Sequence, residues 1–195
     1  VRHRSPLPLV AGLVLLGVFA TAIGLGQFLG FPGFSWSAQH EDDPGLKASA
    51  PTRISIPALG VRADVVQVGR ADDGSIATPV EDPASTAGWY SLGPSPGEDG
   101  TAVIVGHVDT ASKPAVFQKL SQLSAGKLVE VKRKDRRVAT FTVESVERFP
   151  KTSFPADRVF AGAAGPRLVL VTCGGEWVGG DVGYADNVLV FAHLT

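Results

Sequence analysis

The sequence predicts an all-β domain, a sandwich or a mainly antiparallel barrel, and three observations lead there. Residues 53–195 alternate short apolar runs with breaks rich in Gly, Pro and Asp, and the chain holds 23 Gly and 14 Pro among 195 residues. Helical periodicity is scarce. The runs also follow one another too closely for crossover helices, which argues against an α/β fold. In order, strands are expected at 53–56, 61–68, 101–105, 128–133, 138–148, 167–172 and 187–193. Within 138–148, Phe141 and Val143 alternate while Val146 falls out of phase, which places a bulge near Ser145. The one helix expected covers 114–120, where Pro114 suits the first helical position and Val116, Phe117 and Leu120 fall at helical spacing. Six basic residues, Lys127, Lys132, Arg133, Lys134, Arg136 and Arg137, face only Glu130 and Asp135 over 127–137. Attraction to anionic wall polymers or lipid phosphates is one reading. The preferred one is a solvated hairpin, turning near Lys134 and Asp135, whose edge is guarded by Lys.

Composition bounds the function. Hydrophobic residues make up 44% and charged residues 19%, which excludes collagen, coiled coil and wholesale disorder. The 18 Lys and Arg balance the 19 Asp and Glu, so charge makes no case for nucleic acid as a partner. A single Cys excludes an internal disulfide and any site built from several thiolates. No dense Asp and Glu constellation is present, and neither metal nor cofactor is expected.

The N-terminal part has a different character. After Arg2, His3 and Arg4, no charged residue occurs before His40, and residues 9–31 are mostly Leu, Val, Ala, Gly and Phe. As a helix this stretch rises roughly 35 Å, enough to cross a hydrocarbon core of about 30 Å. A transmembrane signal anchor is expected at 9–31, with a short cytoplasmic end at 1–8 and the rest of the chain outside the cytoplasm. A cleaved signal peptide ending near Ala20, Thr21 and Ala22 is the competing reading, but the apolar run continues past that point. The absence of Met extends to Val1, which stands for a non-standard start or an internal residue of a longer precursor. Residues 32–52, rich in Gly, Ser, Ala and Pro with the acidic Glu41, Asp42 and Asp43, read as a flexible linker. The folded domain is then 53–195.

Chemistry centres on the lone thiol. Cys173 follows the apolar run 167–172 and precedes Gly174 and Gly175, so it is expected where a core strand ends and a flexible turn begins. Such a place suits a nucleophile, because glycines let a substrate backbone approach and leave N–H groups free for a reacting carbonyl. A buried, inert Cys is the commoner case for a single thiol. The catalytic reading needs a base, and the domain offers His107, after Gly106 at another strand end, and His193 near the chain end. A thiol beside an imidazole can form a thiolate and imidazolium pair, nucleophile and acid together. Spacing alone does not show that His107 and Cys173 meet, and His107 could instead bond Asp109 or a loop carbonyl. Asp109 and Asp186 suit turn chemistry as well as a site.

The motifs resemble a known family. Residues 53–57 (Arg-Ile-Ser-Ile-Pro), 105–110 (Val-Gly-His-Val-Asp-Thr), 115–117 (Ala-Val-Phe), 170–175 (Leu-Val-Thr-Cys-Gly-Gly) and 186–192 (Asp-Asn-Val-Leu-Val-Phe-Ala) resemble the sortases, specifically the actinobacterial class F group. The resemblance covers essentially all of 53–195. It implies a closed eight-stranded β-barrel with short helices, outside the membrane behind an N-terminal anchor. It also implies cysteine transpeptidation. Cys173 would attack a carbonyl in a Leu-Pro-x-Thr-Gly-like sorting signal, and His107 would protonate the leaving amine. The acyl group would pass to an amine of a peptidoglycan precursor or a pilin-like protein. Thr172, Gly174, Gly175, Trp177 and Asn187 would shape the acyl site. One departure stands out: the family uses an arginine on the strand after the cysteine, and here no Lys or Arg follows Arg167, with Ala185 at the corresponding position. Main-chain N–H groups near Gly174 and Asn187, or Arg167 itself, are the candidate replacements. A membrane-tethered, non-catalytic peptide binder and a hydrolytic cysteine peptidase remain as rivals.

Overall fold

The computed structural model describes residues 45–160, 164–180 and 182–195. The apolar segment 9–31 lies outside them, and no helix among the described residues is long and apolar enough to cross a membrane. The strands are β1 (Pro51–Ile56), β2 (Val61–Val68), β3 (Thr86–Tyr90), β4 (Gly100–Val105), β5 (Leu128–Arg133), β6 (Val138–Pro150), β7 (Pro166–Gly179) and β8 (Gly183–Leu194). They close into a barrel in the order β1-β2-β3-β4-β7-β8-β6-β5. The pairs β2/β3 and β4/β7 are parallel, and the remaining neighbours are antiparallel.

Alternation along the strands sorts the apolar residues onto two faces. Ile54, Ile104, Phe141, Leu168, Leu170 and Val190 fill the barrel interior and are fully buried. Val103, Val105, Val169, Leu189 and Phe191 point the other way and form a second cluster on the outside of the barrel. That outer cluster is covered by the short helix α1 (Ala156–Phe160), whose Val159 is fully buried in it. Strands β4 and β7 are therefore apolar on both sides, which is why they read as unbroken runs rather than alternating ones.

Several expectations change. Strand β3 was not expected, and neither was α1. Residues 114–120 form no α-helix: Pro114 pairs with Asp109 in an isolated bridge, turns come next, and only Leu120–Gln122 closes into a 3-10 turn. The backbone N–H groups that a helix would use instead tie this segment to the loop after β4, Ala115 N to Val108 O and Phe117 N to His107 O. The bulge near Ser145 is present as a register shift between Val143 and Ser145. Residues 45–50, placed in the linker from sequence, lie along the barrel ahead of β1, with Leu46 N bonded to Gly97 O.

The hairpin β5/β6 turns where expected, but Arg133 is not part of its solvated face. Its side chain is 0% exposed, and its guanidinium donates to the carbonyls of Pro96 and Lys47 and to Asp135 Oδ2 at 3.1 Å. This buried charge pins both the leading segment and the β3/β4 loop to the barrel. Replacing it would strand two carbonyls and a carboxylate. The variant Arg133→Ala is expected to cost about 3 kcal/mol. Thermal unfolding should show a drop of roughly 10 °C.

Candidate active site

The parallel ladder of β4 and β7 runs from Gly100↔Pro166 to Val105↔Val171. Gly106 extends it by one bond, its N–H donating to Val171 O at 3.0 Å. Two residues past the last pair on each strand stand His107 and Cys173. The same register therefore brings both residues to the same end of the ladder, each just beyond the last pair of its strand. Alternation along β7 puts Cys173 on the outer face with Val169 and Val171, and the β8 residue paired with it is Asn187. Cys173 is half-buried. The sequence could not show this common end, because the pairing joins strands far apart in the chain.

Cys173 does not sit at a strand end. Strand β7 continues to Gly179 and pairs with β8 through Gly174↔Asp186, Trp177↔Tyr184 and Gly179↔Gly183. Just past the cysteine the strand bulges: Gly175 and Glu176 face the single residue Ala185 and have no partner of their own. Gly175 has φ +81°, and a Cβ there would lie 2.4 Å from Asp186 Oδ2. A glycine is required on both counts. Phe117 and Val116 similarly fill the space beside Gly106, where a Cβ would meet Phe117 at 2.6 Å.

Among the described residues, His107 makes one side-chain bond, from Nε2 to Pro79 O at 3.2 Å. A carbonyl only accepts, so Nε2 carries the proton and Nδ1 of the neutral ring is left to exchange one. The partner comes from the loop between β2 and β3, which held no signal in the sequence. Asp109 makes no side-chain hydrogen bond to His107. Its Oδ2 accepts from the hydroxyl of Tyr184, a residue that carries no signal in the sequence. That bond first, then burial and the negative charges of Asp109 and Cys173, raise the Tyr184 phenol above its ordinary value of 10.

The remaining expected residues divide. Trp177 is 63% exposed and packs edge-on to Tyr184 at 5.0 Å between ring centroids. Thr172 falls on the face opposite Cys173, 4% exposed, with its hydroxyl unpartnered among the described residues. The structure does not bring its side chain to the thiol. Arg167 is paired with Glu144 at 2.6 Å, at the other end of β7. About 20 Å of strand separates it from Cys173, so it does not replace the arginine missing after the cysteine. His193 likewise bonds Glu144, at 3.0 Å, away from the thiol. A cavity of about 340 Å³ lies at that far end, lined by Thr101, Glu144, Arg158 and Arg167 among others. It does not contain the thiol.

Between these two ends runs the outer apolar floor of Val103, Val105, Val169, Val171 and Leu189, flanked by Tyr90, Phe149 and Phe154. Helix α1 is held over it by Arg158, which grips both oxygens of Glu147 at 2.7 and 2.8 Å and lies 4.4 Å from the Phe191 ring centroid. A thiol with an imidazole in reach can attack a carbonyl as a nucleophile.

Residues 54–195 match the family model described as the sortase domain. The chain belongs to the sortase family, whose members are cysteine transpeptidases. Solved structures similar in fold include sortase C from Clostridium perfringens, at 14% identity over 74% of this chain and 69% of that one, with a TM-score of 0.55. Sortase C-1 from Actinomyces oris is similar at 18% identity over 73% and 72%, with a TM-score of 0.57. Sortase A from Corynebacterium diphtheriae is similar at 16% identity over 76% and 62%, with a TM-score of 0.58. No curated protein matches the sequence.

Two outcomes follow from the geometry. Gly175→Ala should lose stability through the strained φ and the clash with Asp186, by about 1–3 kcal/mol in denaturant unfolding. Glu147 is held at about 2, well below its ordinary 4.5, by its bonds from Arg158 and then Ser145. Its contribution is therefore complete above pH 4.5 and is lost as pH falls toward 2. Solvent screens this partly exposed pair, so the gap in stability between wild type and Glu147→Gln should be about 1 kcal/mol at about pH 6. Unfolding measured down the pH scale should show that gap closing.

Proposed function

We propose that this protein is a membrane-anchored sortase of the class F type that cleaves a Leu-Pro-x-Thr-Gly-like signal and joins the released acyl end to an amine. The observation that supports this reading is the β4/β7 register, whose last pair is followed two residues on by His107 on one strand and Cys173 on the other. In the first step the Cys173 thiolate attacks the Thr carbonyl of the signal. The carbon–nitrogen bond breaks, His107 delivers a proton to the departing amine, and a thioester remains on Cys173. In the second step an amine attacks the thioester, its proton passes to His107, and the thiolate leaves. The product is a new amide. The amine would belong to a peptidoglycan precursor or a pilin-like protein, and the anchor at 9–31 would hold the barrel outside the membrane.

The tetrahedral intermediates of both steps carry an oxyanion. No Lys or Arg follows Arg167, and Arg167 is engaged by Glu144. The donors in this reading are main-chain N–H groups of the bulge at Gly175 and Glu176, which has no pairing partner on β8. One such donor is typically worth about 3 kcal/mol in the transition state. Turnover below that of an enzyme with an added cationic donor is the expected consequence. The absence of that cation also favours, as a second reading, a barrel that binds sorting peptides without cutting them.

Incubation of the full chain with a Leu-Pro-x-Thr-Gly peptide and a primary amine, followed by mass spectrometry, tests the proposal. A ligated peptide and a trapped thioacyl adduct on Cys173 are expected, both absent from a folded Cys173→Ala variant. Hydrolysed peptide alone would make the protein a peptidase. Unmodified peptide that nevertheless binds would make it a receptor.

A further inference from the structure

We infer that Tyr184 is a positioning residue for His107, acting through Asp109 across the strand that carries Cys173. This rests on the catalytic reading of Cys173 and His107 above.

Three placements lead to it. Tyr184 lies on β8, Asp109 lies in the loop after β4, and β7 with Cys173 runs between those two strands. The bond from the Tyr184 hydroxyl to Asp109 Oδ2 therefore reaches over the cysteine strand from one neighbour to the other. Among the described residues it is the one side-chain hydrogen bond that joins the His107 loop to β7 or β8.

The loop is built to move as one piece. Asp109 bridges to Pro114, Thr110 N bonds Lys113 O at 2.8 Å, Ala115 N bonds Val108 O at 3.1 Å and Phe117 N bonds His107 O at 3.0 Å. A shift at Asp109 is thus transmitted to His107, two residues away. The other end of the bond is equally fixed. Tyr184 is the register partner of Trp177 and packs against its indole, and a Cβ at Gly183 would come within 3.3 Å of that same ring. This gives the exposed Trp177 a part in the arrangement: it braces the phenol.

The charges around the phenol keep it a donor. Asp109 accepts a hydrogen bond from its hydroxyl, and that bond, burial and the neighbouring acidic groups hold the phenol above its ordinary range. Asp186 lies over Gly175, Glu176 is exposed on the bulge, and β7 beyond Cys173 and β8 before His193 carry no cation. Ionisation of Tyr184 would add another negative charge to this acidic group, so the phenol stays a donor to Asp109. By accepting that hydroxyl, Asp109 is turned toward β8 rather than onto the imidazole.

The test uses the full chain, and its first readout needs no peptide. Cys173 is the only cysteine, so the rate of alkylation by iodoacetamide against pH reports its thiolate without interference. Tyr184→Phe removes one oxygen and leaves the ring packed on Trp177. We expect it to move the alkylation profile to higher pH, because a displaced imidazolium stabilises the thiolate less. With peptide and amine, kcat should fall about tenfold while KM stays within about twofold. Asp109→Ala should do the same, and the double variant should be no worse than either single one. In a His107→Ala background, Tyr184→Phe should have no further effect. A wild-type alkylation profile in Tyr184→Phe, additive losses in the double variant, or a further loss without His107 would each overturn the inference. If the wild-type chain transfers no peptide at all, the proposed function fails, and the alkylation profiles still decide the role of Tyr184.

Discussion

The parallel pairing of β4 with β7 is the constraint on which the rest depends. Its six register pairs, from Gly100↔Pro166 to Val105↔Val171, bury apolar side chains on both faces. Ile104, Leu168 and Leu170 go into the barrel and Val103, Val105 and Val169 to the outer cluster. Each fully buried Leu or Ile contributes about 2 kcal/mol relative to exposure. A one-residue slip would exchange the two sets of faces, and it would also turn Cys173 into the barrel. Register is thus held by packing energy far larger than any single contact at the site. His107 and Cys173 stand two residues beyond its last pair, where the chain is free of that packing demand.

The region past the ladder is less constrained and shows it. The β7/β8 ribbon runs on beyond Cys173 with glycines at 174, 175, 179, 180 and 183, a bulge, and exposed apolar side chains at Trp177, Val178 and Val182. Glycine costs conformational entropy on folding, so a ribbon so rich in it is not built for stability. Its order comes from a few specific contacts instead: Asp186 over Gly175, Trp177 on Tyr184, Tyr184 to Asp109, and the Lys151 ammonium donating to Val182 O at 2.6 Å. The first three of these lie close to the thiol along the ribbon. Order at the tip of the ribbon and geometry at the site are consequently coupled.

Much of the barrel was legible in the sequence because most strands keep one apolar and one polar side. The bulge near Ser145 was visible for the same reason, as a break in phase. The misreadings have a common physical origin, since local signals were overruled by long-range pairing. Gly174 and Gly175 punctuate the chain as a turn would, yet β8 pairs across them and extends β7 to Gly179. Residues 114–120 have helical spacing, but their N–H groups are claimed by the loop of His107. Strand β3 is only Thr86–Tyr90, with Gly88 at its centre, too short and too poor in alternation to announce itself. Arg133 sits among solvated lysines in sequence and is the one drawn inside. At the site, Cys173 and His107 were recognisable from their motifs, whereas Pro79 and Tyr184 belong to no motif and are known only by what they touch.

Family membership settles less about the chemistry than it does about the fold. At identities of 14–18% the solved sortases share the barrel, and each functional group in this chain has to stand on its own surroundings. Cys173 and His107 share the end of the β4/β7 ladder. The arginine does not, and nothing on β8 stands in for it: Ala185 faces the bulge, and the nearest cation by register is Lys151, just past Pro150↔Asp186, with its ammonium committed to Val182 O. On the proposed catalytic reading, a site without a fixed cation would have to stabilise its oxyanion with dipoles, and dipoles act only when they are aimed. That places the demand on backbone geometry at the bulge, where Gly175 permits a conformation closed to other residues and Asp186 fills the space a side chain would take. In this chain the missing charge and the glycine bulge are therefore two sides of one arrangement: the fewer the charges at the thiol, the more the chemistry depends on how rigidly the ribbon beside it is held.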